Sequence, residues 1–146
     1  MTARAESGEV AGGPQQRLRF QDFGFQRLSN GRCRAKVQLA WSDGRLFQGE
    51  SEGMTSQAGE LRCSALAAVQ ALERVTEPAI RFELLGVKAV RAFDATVIIV
   101  SLSAREPGNA RRLVGSYLTD ADPPRGAALA VLNATNRMMG NFFSTR

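Results

Sequence analysis

Asp122, Asn133 and Asn136 are a carboxylate and two amides placed close together near the end of the chain, and Gly53, Gly59 and Gly115 precede the two Ala-rich stretches. Side chains of this kind can hydrogen-bond a small polar ligand, and glycine lets backbone approach one closely. Each has a structural alternative: Asp122 can cap a helix, and an Asn on a helix can bond to neighbouring backbone. The stretch from Gly49 to Gly59 reads either as a ligand loop or as a connector, and it lacks the lysine and spacing of a phosphate-binding loop. If a small-molecule site exists, it is expected where Gly49–Gly59 and Gly115–Asp122 approach the helix starts, because free N–H groups there suit a carboxylate.

Other chemistry is harder to build. The chain has 2 cysteines, Cys33 and Cys63, and 0 histidines, which removes histidine-dependent catalysis and leaves no usual zinc-ligand set. Glu50 and Glu52 alternate on or just after a strand, but nothing in the sequence sets them across a cleft. No catalytic residue, metal or cofactor is therefore expected, and the chain reads as a non-enzyme. The net charge of +5 is concentrated early: Arg17, Arg19, Arg27, Arg32, Arg34, Lys36 and Arg45 face Asp22 and Asp43 within the same stretch. The stripe containing Arg17, Arg19, Arg32, Arg34 and Arg45 is either a solvated face or a surface for phosphates, the basis of a nucleic-acid alternative.

The elements that must position these residues come in two copies. Arg19-Phe20 with Gly24 recurs as Arg81-Phe82 with Gly86, and Val37, Leu39 and Trp41 recur as Ile98, Val100 and Leu102. Residues 1–16 lack apolar periodicity and read as a flexible tail, followed by one domain over 17–146 made of repeats at about 17–78 and 79–146. In the first strand the side-chain parity slips around Asp22 to Gly24, which predicts a bulge. Asp43-Gly44 predicts a hairpin between the second and third strands, and Glu106-Pro107-Gly108-Asn109 predicts another. The run Val97 to Leu102 is almost continuously apolar, as in a central strand covered on both faces. Leu61, Ala65, Ala68, Leu72 and Val75 mark one helical stripe, with Pro78 ending that helix. Ala128, Val131, Leu132, Thr135 and Met139 mark a second stripe, with Asp122 and Pro123 at its start. The expected fold is α+β: duplicated β-β-β-α units, mostly antiparallel sheet, with two helices packed on one face.

The last helix carries the most specific pattern. Asp122, Ala128, Ala130, Leu132, Asn133-Ala134 and Asn136-Arg137, with Asp94-Ala95 ahead of an apolar strand, resemble the C-terminal regulatory domain of 2-isopropylmalate synthases. The resemblance extends over about residues 17–140 and implies a leucine-responsive dimerisation module of duplicated β-β-β-α units. In that family a catalytic barrel precedes the module, and a barrel alone needs roughly 200 residues or more, so the 146 residues here hold none. Where the family has a Pro-Val-Asp sequence before its first helix, this chain has a different one, and Asp122-Pro123-Pro124 stands before the last helix. The resulting expectation is a cytoplasmic, homodimeric regulatory or scaffolding module that binds a small carboxylate or amino-acid effector, or a protein partner. No apolar run approaches the ~20 residues of a membrane span.

Overall fold

The computed structural model describes residues 18–144, with side chains through Met139, so the expected tail at 1–16 and Arg17 lie outside the described residues. Alternating apolar side chains make six strands: β1 (Leu18–Arg27), β2 (Arg32–Trp41), β3 (Leu46–Met54), β4 (Arg81–Ala92), β5 (Ala95–Glu106) and β6 (Asn109–Thr119). Helix α1 (Gln57–Thr76) follows β3, and α2 (Pro123–Ser144) follows β6. The strands form two separate antiparallel sheets, sheet A in the order β1-β2-β3 and sheet B in the order β4-β5-β6. The fold is the expected α+β duplication.

Turn chemistry closes each sheet locally. Gly44 has φ 95° in the β2–β3 turn and Gly108 has φ 76° after Pro107, conformations that suit glycine. The β4–β5 turn is less ordinary, because Phe93 and Asp94 have φ 55° and 60° between the paired residues Ala92 and Ala95. Two positive φ values at a two-residue turn match the backbone twist of a hairpin, although phenylalanine is a costly residue for it.

The first strand of each sheet carries a bulge at a matching point. Phe20 lies opposite Leu39 and Asp22 opposite Gln38, and in the second unit Leu84 lies opposite Leu102 and Gly86 opposite Ser101. The extra residue in β1 restores parity, so Phe20, Phe23 and Phe25 all face the core side. The bulge also corrects the repeat alignment: the counterpart of Phe20 is Leu84, not Phe82. In the central strands Val37 pairs with Gly49 as Val100 pairs with Gly115, so Val37 matches Val100, not Ile98. The slip is two residues, one pleat period, which preserves every side chain's face and is invisible to an alternating pattern.

The helices join the two sheets. α1 packs on β3 and β2 and reaches β4; α2 packs on β6 and β5 and reaches β1; the two helices also pack on each other. Leu39, Leu72, Ile98, Leu102 and Val131 thus belong to one core, enclosed by the inner faces of both sheets. Leu61, Ala65, Ala68 and Leu72 are buried as expected, but Cys63, Ser64, Ala67, Val69 and Ala71 are buried too. Burial therefore covers more than half of the α1 circumference, and small side chains are what allow a helix to be approached on several sides. In the other stripe Leu132 is half-buried, whereas Ala128, Val131, Thr135 and Met139 are buried.

Each sheet presents its other face outward. The expectation that β5 is covered on both faces is not met among the described residues: Ile98, Val100 and Leu102 are buried, while Ile99 is exposed and Val97 half-exposed.

Candidate ligand site

The helix starts are built by local capping. Ser56 accepts a hydrogen bond from the Gly59 backbone N–H at 3.0 Å, and Glu60 stands in the first turn of α1. Asp122 Oδ1 accepts from the Arg125 N–H at 3.3 Å, and the Asp122 N–H donates to Thr119 Oγ1 at 3.2 Å. Pro123 then opens α2, where a missing N–H costs nothing. Neither connection before a helix is long, correcting the expected ligand loops: Gly49 and Gly53 lie within β3, and Gly115 lies within β6.

The three candidate glycines sit at tight packing points. A Cβ on Gly53 would press on the Cβ of Cys63, one on Gly59 on the Met54 carbonyl, and one on Gly115 on the Ala130 carbonyl and Ala134 backbone. Asn133 Oδ1 accepts from the Ser116 N–H at 3.1 Å and ties α2 to β6. Gly53, Gly59, Gly115, Asp122 and Asn133 are thus engaged in holding elements together and do not converge on one opening.

Asn136 is placed differently. It lines a small cavity of about 50 Å³ with Leu18, Arg19 and Phe20 of β1. Leu39, Leu72, Leu132 and Met139 provide the apolar wall. Thr135 also lines it, but its hydroxyl already donates to the carbonyls of Val131 and Leu132, each at 3.2 Å. Arg125 lies over the Phe20 ring, 5.3 Å from its centroid. The volume is about a third of the ~150 Å³ apolar cavity that can hold benzene, so it has room for one or two methyl groups. An apolar wall with exposed Asn136 and Arg19 beside it suits the aliphatic tip of a small polar molecule. Sequence spacing places Leu72, Leu132 and Met139 on helical stripes, but it carries no signal that β1 meets them.

The basic stripe is largely ion-paired. Arg27 makes two bonds to the Glu60 carboxylate, at 2.8 and 2.9 Å, joining β1 to the first turn of α1. Arg34 approaches Glu52 at 2.7 Å and Glu50 at 3.4 Å, Arg32 approaches Glu52 at 3.7 Å, and Arg45 approaches Asp43 at 2.8 Å. The hydrogen bond and charge of Arg34 hold the Glu52 carboxyl below the usual carboxylate range. Glu50, Glu52 and Glu60 lie outside the arginine-rich stretch, so counting charges within that stretch overstates the bare positive surface. Arg19 stands instead beside the cavity.

Cys33 and Cys63 face each other across the contact of β2 and α1. The Cys63 thiol donates to the Ser51 carbonyl at 3.1 Å, and burial, reinforced by Cys33, pushes its pKa up to about 11. A thiol held neutral in this way is a poor nucleophile.

The outer faces of the sheets differ sharply. Arg34 pairs across strands with Glu52 in sheet A, and the matching position in sheet B pairs Val97 with Leu118. Val90 lies on the other side of Val97. Val114 is 64% exposed and Leu118 60% exposed, and Phe93 at the adjoining turn is 98% exposed. No protein-family model matches the chain, and no curated protein matches it. No helix among the described residues is long and apolar enough to cross a membrane.

Proposed function

We propose that the chain is a non-catalytic regulatory or scaffolding module that acts as a homodimer. The observation that carries this reading is the apolar outer face of sheet B, centred on Val97, Ile99 and Leu118, which nothing among the described residues covers. Water contact with such a face is unfavourable by roughly 25 cal/mol for each Å² of apolar surface, and association removes it. The likeness of the last helix to synthase regulatory domains supports the same reading, since those domains dimerise. Sedimentation equilibrium at micromolar concentration should give twice the monomer mass. A single monomeric species throughout that range would overturn the proposal.

A second function within the same module is favoured by the cavity beside Asn136. Its apolar wall and polar rim fit a small carboxylate or amino acid whose aliphatic tip enters between β1 and α2. Calorimetric titration with leucine and related branched-chain acids should give saturable heat that Asn136→Ala abolishes. Absence of heat with all of them, or heat unchanged in that variant, rules out this effector site.

A further inference from the structure

The two units share their inner faces and diverge on their outer ones. Where sheet A carries Arg34 opposite Glu52, sheet B carries Val97 opposite Leu118; where sheet A carries Lys36 opposite Glu50, sheet B carries Ile99 opposite Ser116. The charged version is solvated and ion-paired. The apolar version has no cover among the described residues.

The pattern across sheet B defines what would fit it. Successive outward rows, read from β4 through β5 to β6, are Val90–Val97–Leu118, Lys88–Ile99–Ser116, Gly86–Ser101–Val114 and, beyond the bulge, Glu83–Ser103–Arg112. The last row has an acid on one flank and a base on the other. We propose that this face binds the same face of a second copy, with the twofold axis running along β5. The inference deepens the homodimer reading above and rests on it.

A twofold axis along the central strand places β4 of one protomer against β6 of its partner, row by row. Val90 then meets Leu118, Val97 meets its own copy, and Lys88 meets Ser116. Glu83 meets Arg112, and Arg112 meets Glu83, so two opposite-charge contacts form at once. Face-to-face sheets pack with their strands aligned within about 30° and about 10 Å apart, close enough for these side chains to meet. An axis perpendicular to the strands would instead put Glu83 and Arg112 on the partner's Val90 and Leu118, burying charge against apolar side chains at a cost. Arg105 lies near the axis in both copies, at the strand end, where it already reaches Glu83 of its own chain at 3.4 Å. The Lys88 stem can cover apolar surface while its ammonium stays in water at the flank.

The test uses the full chain with Glu83→Arg and Arg112→Glu, each checked for folding by circular dichroism. Each variant alone places like charges at both contacts and should weaken self-association about tenfold or more by sedimentation. Mixing the two variants creates opposite charges at both contacts and should restore a one-to-one dimer of wild-type strength. Val97→Asp, which repeats its charge across the axis, should also give monomers. If the wild type is dimeric but the charge variants dimerise equally well alone and mixed, the interface lies elsewhere and this inference falls while the homodimer stands. If the wild type is monomeric, both fall.

Discussion

Gly49 and Gly115 occupy matching points of the two units, where strand backbone presses directly on helix backbone. A Cβ at Gly115 would meet the Ala130 carbonyl and the Ala134 nitrogen, neither of which can move without displacing α2. Gly115→Ala should therefore cost about 1–3 kcal/mol through overpacking. Gly86 provides the control, because a Cβ there meets nothing within 4 Å and its φ is not in the left-handed region. Gly86→Ala should be neutral or stabilising by up to about 1 kcal/mol. Urea unfolding of both variants measures the contrast, and equal effects would sink the close-packing account. By the same geometry Gly59→Val should disrupt the β3–α1 junction, because a Cβ there meets the Met54 carbonyl.

At the scale of elements, β5 shows how pattern and environment part. An apolar run from Val97 to Leu102 is the signature of a strand with two covered faces, and the described residues supply only one cover. The matched strand β2 alternates Arg34, Lys36 and Gln38 outward with Ala35, Val37 and Leu39 inward. That alternation is what a half-solvated strand requires. The contrast between two copies of one element, with similar inner contacts, locates the specialisation of this molecule on its surface. Helix α2 is comparable: Asp122 and Asn133 serve its start and its link to β6, while Asn136, one turn from Asn133, reaches the cavity. Residues of one motif are thus divided between support and the lining of the cavity.

For the whole molecule, the exchange of contacts between units is decisive. α1 rests on its own sheet and also reaches β4, and α2 reaches β1, so neither unit encloses its own core. An excised second unit, residues 79–146, should consequently be unfolded by circular dichroism at concentrations where the full chain is folded. The physical reason is that it would lose α1 from the faces of β4 and α2 that this helix covers, and a segment of this length is marginal even with a complete core. A cooperative thermal transition from the isolated unit would show that the duplication is a pair of independent domains instead.

What local sequence determined here is extensive. Alternation and helical spacing specify six strands, two helices and the inward face of β2, the parity slip in the first strand announces its bulge, and Asp122-Pro123 marks the start of α2. These follow from steric and hydrogen-bonding rules acting over a few residues. Tertiary structure decided which residues of the two copies are equivalent, because a period of two leaves a two-residue slip undetected until a bulge and a close-packed glycine define the register. It decided that Glu50, Glu52 and Glu60 stand beside the arginines, since charge pairing depends on strand and helix neighbours that are distant along the chain. It also decided which apolar residues remain outside: hydropathy marks a side chain as preferring burial, and only the packed layers determine whether the chain itself has a surface to cover it.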